Sequence, residues 1–153
     1  MKSFFMQFKK IIWKALKWGY MKKHLEYNDE EMEVFRNNPQ NKEILSRAPY
    51  LMSKTIIVEV IESHGCNSKH KVGDQFYFDG FGNLLVEHSP KKVCIYALNA
   101  IVPQIFAVTE LLRTNADPNE MRFNRASCFD VGVLCGGFGR IAMKVKVINR
   151  EKA

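Results

Sequence analysis

His64-Gly65-Cys66, with His70 four residues further on, sets two imidazoles and a thiol in one short stretch. Cys94 follows Lys91 and Lys92 and opens an apolar helical run. A helix N-terminus with nearby cations favours thiolate over thiol, which makes Cys94 the candidate nucleophile. Cys128 and Cys135 are seven residues apart in what reads as one strand, so their side chains fall on opposite faces. Cys135 then shares a face with Phe129, Val131 and Val133 and reads as core, while Cys128 shares its face with Asp130. If Cys66, Cys94 and Cys128 converge with His70 or His64, three thiolates and an imidazole make a tetrahedral site for zinc or another soft metal ion. Against this, the chain has no Cys-x-x-Cys pair of the kind ordinary zinc and iron–sulfur motifs use. Cysteine is also among the most buried residue types, so unrelated core cysteines account for the same residues.

The elements that must position these groups follow from periodicity. Lys54 to Glu62 is rich in β-branched residues and reads as a strand. Gln75 to Asp79 alternates, with Phe76 and Phe78 on one face, and Gly80 to Asn83 turns the chain into a short strand at Leu84 to Val86. Val93 to Arg113 is helical and mostly apolar, and Pro103 at its middle should kink or split it. Ser127 to Leu134 reads as a strand, Gly136 to Gly139 as a turn, and Arg140 to Ile148 as a returning strand. In that last strand Ile141, Met143, Val145 and Val147 face inward while Ala142, Lys144 and Lys146 face outward. The expected fold is therefore α+β, a small antiparallel sheet with one long Pro-interrupted helix packed across it and N-terminal helices before it. Lys71-Val72-Gly73-Asp74 is a tight turn whose Asp74 either caps backbone amides or orients His70. Cys135-Gly136-Gly137-Phe138-Gly139 is glycine-rich, but a strand follows it, so it is a hairpin turn and not a phosphate loop.

Charge divides the chain differently. Residues 1–23 hold seven lysines and no acid. Without them the chain's 23 basic residues fall to 16, which matches its 16 acidic ones. The whole formal charge of +7 thus sits in an N-terminal arm, unlike a nucleic-acid-binding domain, which spreads its charge over a folded face. At helical spacing Phe4, Phe5, Phe8, Ile11, Ile12, Ala15, Leu16 and Trp18 share one side, opposite Lys9, Lys10, Lys14 and Lys17, with Gly19 as a stop. Such a helix docks on an anionic membrane surface or in a groove of a protein partner, or covers its own domain's core. Three parts result: residues 1–23 as a basic amphipathic arm, 24–53 as a short helical connector and 54–149 as the α+β core. In the connector, Asn28 to Glu31 starts a helix that Asn37-Asn38-Pro39 ends, and a second helix fits Asn41 to Arg47, stopped at Ala48-Pro49. Four cysteines in 153 residues are too few for a secreted disulfide scaffold. The lysines interrupt any signal-peptide core, which gives a cytoplasmic protein, peripheral at the membrane if the arm docks there.

With these residues assembled, the chain from about residue 55 to 148 resembles a family of small, functionally uncharacterised bacterial and archaeal proteins. The resemblance rests on Cys66, on His70-Lys71-Val72-Gly73-Asp74 before an alternating aromatic strand, on Cys94 with Ala97-Leu98 and Pro103, and on Cys128. The family has Gly where this chain has Lys69, and Cys-Pro-Asp where it has Cys128-Phe129-Asp130. The resemblance implies a fold and the same three cysteines with His70, and brings no activity. The expected function is a small accessory or subunit protein with a Cys/His site, formed by Cys66, His70, Cys94 and Cys128, for metal binding or thiol chemistry. The alternatives are a stand-alone enzyme with Cys94 as nucleophile and His70 or His64 as base, and a structural adaptor whose cysteines only pack.

Overall fold

The structure, a computed structural model, describes residues 17–150. The chain forms two compact units, Met1–Ser46 and Arg47–Ala153. Most of the expected basic arm, residues 1–16, lies outside the described residues.

In the first unit, residues 17–24 are helical. Gly19 does not stop this helix. It ends instead where Glu26 takes a left-handed φ of 56°, with the Tyr27 amide bonded back to the Lys22 carbonyl at 3.1 Å. Trp18 meets the Phe35 ring edge-on, and the Arg36 guanidinium lies over the Trp18 ring. Helix α1 (Asp29–Asn37) starts at a capping box: the Asn28 side chain accepts from the Glu31 amide at 2.9 Å, and Glu31 accepts from the Asn28 amide at 2.8 Å.

Helix α2 (Pro39–Met52) is longer than the expected Asn41 to Arg47, because Pro49 sits inside it. A proline there removes the bond to the carbonyl four residues back, that of Leu45. The Lys17 ammonium donates to that carbonyl, so the freed acceptor is satisfied and the helix continues.

The second unit is α+β, as expected. Strands β1 (Lys54–His64), β2 (Gln75–Asp79), β3 (Arg125–Ser127) and β4 (Arg140–Asn149) form one antiparallel sheet in the order β2-β1-β4-β3. Helix α3 (Ile95–Arg113) packs over it. Ile56, Val58, Val60, Phe76, Ile141, Met143 and Val145 of the sheet meet Ala97, Ile101, Val108 and Leu112 of α3 in the core. Burying each larger side chain stabilises the fold by about 1.5–3 kcal/mol. Among the described residues α3 is the one helix long and apolar enough to cross a membrane by length and composition, and its inner face is spent on this core. Pro103 does not split α3; it lies on the helix's exposed side.

Two expected strands are corrected. Leu84 to Val86 is not a strand: one bridge joins Leu84 to Phe78, and Val86–His88 is a 3-10 turn. The Asp79 carboxylate, which accepts from the Phe81 and Asn83 amides at 2.9 Å, curls the chain there. Ser127 to Leu134 is not one strand either, since β3 ends at Ser127. Beyond it the Asp130 carboxylate accepts from the amides of Gly132 (2.9 Å) and Phe138 (3.1 Å), and Gly132 and Gly136 take left-handed φ of 82° and 84°. The loop so closed points Phe129, Val131, Val133 and Leu134 outward, Leu134 at 98% exposure. Cys135 is exposed as well, not core.

Candidate functional site

A bulge in β1 sets up the site. The β1–β4 register pairs Val60 with Met143 and then Glu62 with Ala142, which leaves Ile61 as an extra residue. The insertion reverses the side-chain phase beyond it. Glu62 turns outward to bond Arg140 at 2.8 Å, and Ser63 takes the inner side opposite Ile141. The Ser63 hydroxyl donates to the His70 carbonyl at 2.5 Å, and this draws the following loop back over the sheet end.

That loop is pinned at both ends. The Gly73 amide donates to the Val60 carbonyl (2.9 Å) and the Val60 amide to the Asp74 carbonyl (2.8 Å). Near its start, the backbones of Gly65 and Gly139 approach so closely that a Cβ on Gly139 would stand 2.2 Å from the Gly65 carbonyl carbon. Between these anchors the Lys69 amide closes a turn on the Cys66 carbonyl at 2.9 Å, with Lys69 itself left-handed at φ 60°. The expected Lys71 to Asp74 turn is present, and Asp74 takes both of the roles anticipated for it. Its Oδ2 accepts from the Lys71 amide at 3.0 Å and stands 3.5 Å from Nδ1 of His70.

The His70 ring is 4% exposed and meets the Phe76 ring edge-on at 5.1 Å. Its Nε2 is buried and has no hydrogen-bond partner. A carboxylate beside Nδ1 favours the tautomer that keeps its proton there, which leaves the Nε2 lone pair free.

Cys94 is the N-cap residue of α3, in extended conformation, and its carbonyl accepts the first helical bond, from Leu98, at 3.0 Å. Burial pushes the Cys94 thiol up, but the Ala97 amide, the Ser68 hydroxyl, the Tyr96 amide and the Lys92 charge together outweigh it. The net result lies below the ordinary thiol range. No side-chain cap of full hydrogen-bond geometry forms here; the effect is that of several partial donors around one sulfur.

Cys128 directly follows β3. Its amide donates to the Ile141 carbonyl at 3.1 Å, and its sulfur accepts from the Ile141 amide at 3.3 Å. Asp130, two residues on, is held below the usual carboxylate range by the amides of Gly132, Gly139 and Phe138.

Cys66, His70, Cys94 and Cys128 all line one hollow of about 340 Å³, together with Ser68, Tyr96, Asp130 and Phe138. Comparison with protein-family models, curated proteins and solved structures finds no match. What the hollow can do must therefore come from its own chemistry.

His64 does not belong to it. The end of β1 carries His64 to a separate hollow beside Arg140 and the exposed Cys135. Among the described residues, no group of three or more His, Cys, Asp or Glu side chains is arranged to hold a metal ion. Sequence reasoning missed Ser68 and Phe138. Ser68 carries a usable signal, since it lies between Cys66 and His70, two residues from each.

Proposed function

We propose that this chain is a small accessory or subunit protein that performs thiol chemistry at Cys94, docked through the basic arm of residues 1–23 to an anionic membrane surface or a larger enzyme. One observation carries the first part: a thiol at a helix N-terminus, held below the ordinary thiol range, lines a hollow together with two further thiols and a buried imidazole whose Nε2 has no hydrogen-bond partner. Thiolate is the nucleophilic form, so Cys94 attacks an electrophilic carbon or sulfur seated in the hollow. His70, held by Phe76 and Asp74, then exchanges a proton with the leaving atom through Nε2.

The test is site-resolved alkylation of the full chain at neutral pH, with each cysteine quantified by peptide mass spectrometry. Cys94 should react well ahead of Cys66 and Cys128, and lose that lead in denaturant. Equal rates for these three in the folded protein would sink the reading.

A soft metal ion such as zinc, held by Cys66, His70, Cys94 and Cys128, is a second reading, favoured by the shared hollow. It requires the donors to draw together, because they are not gathered for coordination among the described residues. Elemental analysis of anaerobically purified protein separates the two. Near one equivalent of metal, lost with Cys66→Ser or Cys94→Ser, would favour the metal site. The docking part is tested by vesicle cosedimentation. Binding to anionic vesicles should fall at high salt and vanish when residues 1–23 are deleted.

A further inference from the structure

We propose that Cys94 and Cys66 form a dithiol–disulfide couple, with Cys94 the attacking thiol, Cys66 the resolving thiol and a low-molecular-weight disulfide the co-substrate. This rests on the reading of Cys94 as the reactive thiol.

The choice of Cys66 over Cys128 follows from how each sulfur is held. Cys128 is locked into the backbone exchange with Ile141, and its sulfur is already the acceptor of the Ile141 amide. Moving that sulfur breaks a bond at the sheet end. Cys66 sits in the Cys66–Lys69 turn, where the closing bond uses its carbonyl and leaves its thiol outside the ladder. Ser68 of the same turn lines the hollow together with Cys66 and Cys94, so the turn carrying Cys66 and the start of α3 border one space. Both Cys66 and Cys94 are half-buried against the same apolar cluster and line the same hollow. A disulfide needs sulfurs about 2.05 Å apart and Cα atoms about 5.5–6 Å apart, so closing the bridge requires the Cys66 turn and the start of α3 to meet across the hollow that both line.

The chemistry balances without any further oxidant. The Cys94 thiolate attacks one sulfur of R–S–S–R; the Cys94–S–S–R bond forms, the R–S–S–R bond breaks, and R–S⁻ leaves. The proton that Cys94 surrendered ends on the released thiol, with His70 Nε2 as its carrier. The Cys66 thiolate then attacks Cys94 Sγ, expels the second R–S⁻ and closes the Cys66–Cys94 bridge, and its own proton goes to that leaving group. The two protein thiols lose two electrons and the small disulfide gains them.

Oxidised glutathione is the probe, used with the full chain carrying Cys135→Ser so that the exposed thiol does not report. After acid quenching, unreduced peptides are mapped and released glutathione is counted. The Cys66–Cys94 bridge with two equivalents of glutathione released is the expected result. Cys66→Ser, and Cys66→Ala as a second variant checked for a native melt, should stop at one equivalent with glutathione retained on Cys94. Cys128→Ser should leave the bridge intact. A stable glutathione adduct on Cys94 in the presence of Cys66, or a Cys94–Cys128 bridge, overturns the couple while leaving the reactivity of Cys94 intact. No reaction at Cys94 overturns both.

Discussion

Nδ1 of His70 stands 3.5 Å from Oδ2 of Asp74, and Nε2 of the same buried ring has no hydrogen-bond partner. Leaving a buried polar atom unsatisfied costs about 1–3 kcal/mol. That cost sits on a ring that lines the same hollow as Cys66, Cys94 and Cys128. His70→Leu is therefore expected to leave thermal stability unchanged or raise it by about 1 kcal/mol, since it removes the unsatisfied atom and keeps the apolar volume. It should slow reaction of Cys94 with disulfides. A loss of several kcal/mol on calorimetry would identify His70 as a structural residue.

Lys17 and Pro49 are coupled through the Leu45 carbonyl. Lys17→Met should destabilise by about 1 kcal/mol, the net value of one such hydrogen bond. In a Pro49→Ala background the Leu45 carbonyl regains an intrahelical donor, and the same Lys17 substitution should then cost much less. A double-mutant cycle with denaturant unfolding measures the difference. Additive effects would mean that Lys17 does not serve as the substitute donor.

Two glycines should respond in opposite directions. A Cβ on Gly139 would lie within 2.2 Å of Gly65 backbone atoms, so Gly139→Ala must push the Cys66 loop away and should cost about 1–3 kcal/mol. Gly19 is helical with open space where a Cβ would go, and Gly19→Ala should stabilise by about 0.5–1 kcal/mol. Denaturant midpoints of the two variants give both signs in one experiment. The Gly139 variant should also lose the selective reactivity of Cys94, because Ser68 moves with the loop.

Asp130 gives a pH signature to the loop between β3 and β4. Its carboxyl is held below the ordinary range by the amides of Gly132, Gly139 and Phe138, so the charged form is favoured in the folded protein. That contribution is present above the unfolded carboxyl pKa and is lost as pH falls through the lower folded value. Amide resonances of Gly132 and Phe138 should therefore titrate together below the usual aspartate range, and Asp130→Ala should expose the loop to proteolysis near Leu134 at neutral pH. Titration at an ordinary aspartate pKa would mean that these amide bonds do not form.

Local periodicity explains how much of this was legible in the sequence. The alternation from Ile141 to Val147 gave the correct inward face, and the β2 limits were read directly, because a half-buried strand writes its pattern in sequence. The segment from Phe129 to Val133 mimics the same alternation, yet it folds as a loop. There the Asp130 carboxylate and two left-handed glycines decide the backbone, and period carries no information about them. The four candidate site residues are singled out by type, and the structure places all four around one hollow. Their meeting was not derivable, since it depends on the one-residue bulge at Ile61 and on the Gly65–Gly139 approach, contacts that span the length of the second unit. By residue type and spacing alone His64 is an alternative to His70, which the resemblance favours. The strand end separates them, leaving His64 exposed and burying His70.

The sharpest test of the Cys94 environment is the pH dependence of its alkylation. An ordinary thiol ionises near pH 8.5. Burial pushes the Cys94 thiol up, but the Ala97 amide, the Ser68 hydroxyl, the Tyr96 amide and Lys92 outweigh it, so its rate should reach half-maximum at a lower pH than that of the same cysteine in the denatured chain. Ser68→Ala and Lys92→Ala each remove one contribution that favours thiolate and should move the inflection upward, whereas the Ala97 and Tyr96 amides belong to the backbone and persist in both variants. The double substitution should move it further than either alone. An unchanged inflection in Ser68→Ala would mean that the Ser68 hydroxyl does not act on the Cys94 thiol.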